Sequence, residues 1–247
     1  MSLLLKETEA NFNAFDVDWR ADMAHVAAEL AKDRGPFLLS YRRIILLQAW
    51  RAFLETRISE SSLAFFLEAQ NDALTSHVFA NLGSWRSALK ALRSCIENVL
   101  FCLYYKDHPV EFELWETGQH KPPIAEFITY FEHHPRRVKV ATVDPIPHIR
   151  AEYSTLSKAV HASAKGFRMT RDIRTTLLWS DTKASLGQWQ TRESLVLINL
   201  NLLLLAHFRG ELGGAAASPL REAVSLAIPA TMYPEIKTNL RVVLRKP

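Results

Sequence analysis

An all-α fold, a single-domain helical bundle of about eight helices around two long central ones, is predicted by three features of the 247-residue sequence. Apolar residues recur at helical spacing over two long stretches, about 71–106 and 182–209. Only 8 glycines are present, too few for an all-β fold rich in tight turns or for a Gly-rich phosphate loop. Hydrophobic residues make up 48% of the chain, enough for a sizeable core rather than a disordered polymer.

Residues 1–15 read as a loose leader, which leaves 16–247 as one helical domain. Asp16 or Asp18 caps a first helix running to about Asp33, with Trp19, Met23, Val26, Ala27 and Leu30 inward. Arg34-Gly35-Pro36 ends it. A second helix covers 38–57, with Ile44, Leu47, Phe53 and Leu54 inward, and a third covers 60–69. The spine then follows as one helix over 71–106. Its apolar residues Leu74, Val78, Leu82, Trp85, Leu89, Leu92, Ile96, Val99 and Leu103 step by 3 or 4 throughout. That period is held for about ten turns. Arg86, Arg93, Glu97 and Tyr104 run beside the stripe, at the boundary between core and water.

His108-Pro109 stops the spine, because proline disfavours helix at the residue before it. Pro109 suits the first turn of a short helix over 109–117, closed by Gly118. Pro122-Pro123 opens another, with Ile124, Phe127, Ile128 and Phe131 on one face, ending before Pro135. A loop over 135–147 precedes a helix from about Pro147 to Ala164. Residues 165–180 lack helical spacing and read as a loop or a short hairpin. The second long helix spans about 182–209 and ends at Gly210, Gly213 and Gly214. Ser218-Pro219 starts a short helix to about Ile228.

The formal net charge is +4 and the pI about 9.1, mildly basic. Cys95 and Cys102 lie two turns apart on the spine, roughly 10 Å, too far for a bridge within the helix. The first fourteen residues carry acids early and no long apolar core, so no signal peptide is expected and the cytoplasm is the expected compartment. The most apolar run, Leu195–Phe208, contains Asn199 and Asn201 and is short for a span, so no membrane segment is expected. No cofactor motif occurs. Metal ligation is not expected either: His133 and His134 adjoin but point different ways, and no Cys-x-x-Cys or His-Glu-x-x-His occurs.

Three constellations could carry chemistry. In the helix PHIRAEYSTLSKAVHASAK, Arg150, Ser157 and His161 flank an apolar stripe of Ile149, Tyr153, Leu156 and Val160. Ser157 and His161 are one turn apart, which places a general acid or base beside a hydroxyl; a polar boundary row bonding into the protein accounts for the same pattern. On the spine, Arg93 and Glu97 are spaced for an ion pair in the less favoured order. Between 135 and 180, nine basic residues oppose three acids, an excess of +6 that exceeds the whole chain's +4. Arg136, Arg137, Lys165, Arg168, Arg171 and Arg174 are its candidate phosphate-binding members, with Tyr153, Phe167 and Trp179 interleaved.

The stretch Ala91–Glu97 (A-L-R-S-x-x-E), followed by Tyr104-Tyr105 and His108-Pro109 and later by Tyr153 to His161 (Y-S-x-L-S-x-x-V-H), resembles bacterial helical proteins related to HEPN domains over about residues 80–165. Those domains occur in toxin–antitoxin and phage-defence systems, and many cleave RNA without a metal, using an arginine and a histidine four to six residues later on one helix. The resemblance implies a metal-independent ribonuclease with RNA as substrate and an antitoxin or other protein as partner. The spine lacks that arginine–histidine pair, and Arg150 and His161 are eleven residues apart. Arg93 is therefore the arginine expected to meet His161, with Glu97, Ser157 and Tyr153 beside them. The alternative is a non-catalytic helical module that docks a partner or forms a homo-oligomer. Apolar surface at Trp85, Trp115 or Trp189 would favour it.

Overall fold

The computed structural model describes residues 2–161, 167–169 and 178–245. Among these the regular structure is entirely helical, with ten α-helices. They are α1 (Leu3–Leu30), α2 (Arg34–Leu54), α3 (Glu60–Asn81), α4 (Trp85–Asp107), α5 (Pro109–Glu116), α6 (Ile124–His133), α7 (Ile146–Val160), α8 (Lys183–Phe208), α9 (Ser218–Ala227) and α10 (Tyr233–Leu240). A 3₁₀ turn, Ala230–Met232, leads into α10. No described helix is long and apolar enough to cross a membrane.

The expected ten-turn spine is two helices. Gly83 takes φ +71°, a left-handed conformation that favours glycine. Its N–H donates to Ala80 O at 2.9 Å, while the Ser84 N–H reaches back to Phe79 O at 2.8 Å. That pair of bonds is a Schellman stop. The chain reverses there, and α3 lies antiparallel on α4: Asn98 donates to Asp72 at 2.8 Å, and Phe65 meets the Phe101 and Tyr105 rings at 5.5 Å. The reversal changes which face of α3 is inward. Leu74 and Val78, expected in the core, are 45% and 47% exposed, and Phe65, Phe66, Ala69, Ala73 and Ala80 are buried instead. On α4 the expected stripe from Trp85 to Leu103 is buried.

Two further boundaries differ. Helix begins at Leu3, where a loose leader was expected, with the Ser2 hydroxyl capping the Leu5 N–H. Arg34-Gly35-Pro36 opens α2 instead of merely ending α1, since proline is tolerated in a first turn that needs no donor.

α4 is the hub: α3, α5, α6, α7 and α8 all lie against it. α8 is tied to its neighbours by buried polar bonds. Glu193, 1% exposed, accepts two bonds from Arg43 of α2 at 2.8 and 2.5 Å. The Trp50 indole donates to Asn201 at 2.7 Å, and Trp189 donates to Ser76 at 3.1 Å. Arg192 reaches Glu152 of α7 at 2.6 Å. Cys95 and Cys102 are buried free thiols on α4. Burial pushes both up, Cys102 to about 12, so neither is a ready nucleophile.

Two stability measurements follow from this architecture. A Cβ at Gly83 would meet Ser180 O at 2.6 Å and Val26 Cγ1 at 2.5 Å. Gly83→Ala should therefore cost more than the ~1–3 kcal/mol of a strained backbone alone. Differential scanning calorimetry should show a midpoint lower by several degrees; an unchanged midpoint would contradict the turn. Arg43→Met should cost about 3–5 kcal/mol in chemical denaturation, because it strands the Glu193 carboxylate. Adding Glu193→Leu should recover most of that loss, and a double variant as weak as the single would show that packing, not stranded charge, sets the cost.

Candidate functional site

α7 runs antiparallel to α4, which brings the flanks of the two helices together. Arg93 projects from α4 at the edge of the core. Its Nη2 donates to the Tyr153 hydroxyl at 2.5 Å, its Nε to Ser157 Oγ at 3.2 Å, and its guanidinium pairs with Glu97 at 2.9 Å. Tyr153 in turn donates to Glu97 Oε1 at 2.8 Å. The guanidinium carbon stands 4.8 Å from the Tyr153 ring centre. Four residues expected to share a site, Arg93, Glu97, Tyr153 and Ser157, are thus one network.

The electrostatics assign roles within it. Burial, reinforced by the Glu97 carboxylate that accepts its proton, pushes the Tyr153 phenol up to about 12. Near neutrality it is a donor and not a base. Ser157 Oγ gives its proton to Tyr153 O at 2.8 Å, a local bond within the helix that turns it away from nucleophilic use. Arg93 remains partly open. Its side chain is 27% exposed, and Nη1 has no hydrogen-bonding partner among the described residues.

His161 does not join this network. It caps the C-terminus of α7 with an exposed side chain, and among the described residues no hydrogen bond, ion pair or ring contact links it to Arg93. Arg86 holds that helix end, donating to Ala159 O at 3.1 Å and Val160 O at 2.8 Å. A cation there complements the carbonyl end of the helix.

The basic block is partly committed inward. Arg137 binds Asp144 through two nitrogens and the Glu132 carbonyl through the third, closing the loop before α7. Arg136 donates to the His207 carbonyl at the end of α8. Arg150 pairs with Glu132 at 2.7 Å. Arg168 lines a cavity of about 200 Å³ with Trp85, Arg86 and Leu89. Lys165, Arg171 and Arg174 lie outside the described residues.

A second cluster had no signature in the sequence. Asp107 ends α4, His134 follows α6, and His207 sits in the last turn of α8. Asp107 Oδ2 is 3.3 Å from His134 Nε2 and 3.7 Å from His207 Nε2. Tyr130 donates to the same oxygen at 3.0 Å, and Lys106 takes Oδ1 at 2.9 Å. Beside the cluster opens a cavity of about 330 Å³ lined by Tyr104, His108, Glu126, Tyr130 and His134. The one sequence hint was the density of histidines, His108, His120, His133 and His134, in the stretch that follows Asp107.

The three candidate ligand atoms lie within 4.8 Å of one another. A tetrahedral ion bound at ~2.0–2.1 Å would space them by roughly 3.3 Å, so the span is suitable. The protonation pattern is not. The Arg136 N–H donates to His134 Nδ1 at 3.1 Å, which puts the imidazole proton on Nε2, the atom that would have to ligate. Lys106 and Arg136 also place positive charge beside the site. The Asp107 carboxylate accepts from Tyr130 and Lys106, while His207 Nε2 is left without a hydrogen-bond partner.

His207 gives this cluster a pH signature. Burial, with help from the nearby Lys106, His134 and Arg136, pushes its imidazole down to about 3 from an ordinary 6.5, against the pull of Asp107. Burial also lowers His134. Between these two pH values the unfolded chain binds a proton that the folded chain refuses. Stability from His207 is therefore complete above pH 6.5 and drains away as the pH falls toward 3. Thermal midpoints between pH 7 and 4 should drop more steeply for wild type than for His207→Gln; parallel curves would show that this imidazole is not held neutral.

No family model, curated protein or solved structure matches this chain.

Proposed function

We propose that this protein is a HEPN-like helical protein of bacterial defence or toxin type that acts on RNA without a metal. The observation that carries this reading is the half-open guanidinium of Arg93, fixed by Tyr153, Glu97 and Ser157, with donors to spare toward solvent. A fixed arginine fork suits the charge that gathers on a phosphate oxygen during transfer. His161 stands one turn beyond Ser157, about 6 Å further along the helix axis, with an exposed side chain.

In this reading the RNA 2′-oxygen attacks the adjacent phosphorus and the bond to the 5′-oxygen breaks, leaving a cyclic phosphate. His161 takes the proton of the 2′-hydroxyl, and the 5′-oxygen leaves with a proton from solvent. Arg93 holds the phosphate. Tyr153 and Glu97 position that arginine and touch no reacting atom.

A second reading, a non-catalytic module that docks another protein, draws on surface apolarity. Trp85 and Trp189 are buried and Trp115 is 37% exposed, so the tryptophans give it little. Its support comes from the outer faces of α1 and α2, where Phe12, Phe15, Leu38 and Ile45 are 41–62% exposed.

Cleavage of a mixed RNA pool by the purified protein, alongside thermal melts, tests the first reading. His161→Ala should lower the rate by ~10²–10⁴ and leave folding intact. Arg93→Lys should lose most activity too, since one ammonium cannot replace the fork. Full cleavage by a folded His161→Ala protein would end the catalytic assignment, and a wild type that never cleaves would favour the docking module.

A further inference from the structure

α1 has 28 residues, of which only Val26 and Leu30 are buried. Trp19 meets Trp179 at a centroid distance of 6.4 Å, and the helix before it stands clear of the fold. Helices in water owe most of their stability to packing of an apolar face. α1 has such a face: Leu5, Phe12, Trp19 and Val26 recur every seven residues, with Phe15 between them. Its last turns use that stripe to join the core. Its first four turns leave Leu5, Phe12 and Phe15 53–62% exposed.

A matching receptor lies on the same chain. The outer face of α2 presents Leu38, Tyr41 and Ile45, 41–52% exposed. Tyr41 touches His77 of α3 at 6.2 Å, which sets this row beside exposed Leu74 and Val78. The charges complement each other. Residues 3–23 of α1 carry five acids and two bases, whereas α2 has four arginines and no acid. One of the four, Arg43, is spent on Glu193, while Arg34 and Arg42 are exposed.

We infer that α1 is an exchanged arm: its N-terminal stripe docks on the α2/α3 face of a second copy of this chain, which returns its own arm. The area argues for reciprocity. One arm ~30 Å long and ~10 Å wide covers roughly 300 Å², so a single docking falls short of a stable interface. Two arms and two receiving faces bury roughly 1,200 Å², the lower edge of the ~1,200–2,000 Å² of standard interfaces. A two-fold exchange also closes on itself, leaving no free arm to propagate a fibre. No residue is shared with the Arg93 network, so the inference stands whether or not that network acts on RNA.

Sedimentation of the full chain decides it. The wild type is expected as a dimer. Phe12→Asp with Phe15→Asp on the arm, or Ile45→Asp on the receiving face, should weaken the dimer about tenfold or more while the far-UV circular dichroism stays that of a folded chain. Arg42→Glu should weaken it less, and added salt should mimic that effect. Because both native cysteines are buried, a Phe15→Cys batch mixed with an Ile45→Cys batch and a short thiol crosslinker should give a covalent product joining one copy of each. A wild type that stays monomeric at high micromolar concentration overturns the inference. So does a dimer untouched by both sets of aspartates, or a monomer whose arm instead carries it onto phosphatidylcholine vesicles.

Discussion

Burial of α4 on most of its surface is the constraint from which the other features follow. Five helices lie against it, so its stripe Trp85, Leu89, Leu92, Ile96, Val99 and Leu103 is buried. Polar side chains on such a helix survive only along a flank or at an end, and each must find partners there. Arg86, Arg93 and Glu97 find theirs on α7, and Asp107 finds its own at the end of the helix. Both polar clusters of this protein are thus consequences of where α4 stops being buried.

The same rule explains why some of the arginines are committed inward. Arg137 closes a loop on Asp144 and Arg43 anchors α2 to α8 through Glu193. Burial raises the Glu193 carboxyl even with that arginine beside it, so the pair fixes the register of two helices at a cost in desolvation. Cations used this way are structural fasteners. Each is matched by a carboxylate, so the pair adds little to the field that a phosphate backbone would meet.

α1 obeys the opposite rule. Its stripe repeats once in seven residues with Phe15 between, sparser than that of α4, and only the last turns meet the core. A periodic apolar face states that a helix must be covered, not by what. Within the single chain the first four turns of α1 are left uncovered, whereas the stripe of α4 is covered along its length.

The sequence by itself determined the helical class and most element positions, because a 3.6-residue period and proline or glycine stops are local properties. It also placed Arg93, Glu97 and Ser157 as boundary residues, since a flank position can be counted from the stripe, while Tyr153 was counted in the stripe itself. It could not reveal the reversal at Gly83: the step from Leu82 to Trp85 fits the helical period, so the stripe continues in sequence across a chain that turns back in space. Only the tertiary structure therefore decided that Leu74 and Val78 face outward. Only it gathered Asp107, His134 and His207, which sit at the ends of three segments spread over a hundred residues. Proximity of that kind is set by how helices cross, and no local spacing encodes it. For His161 the two levels part: the sequence put it on the same flank as Ser157, and the end of α7 left it exposed, one turn past the network.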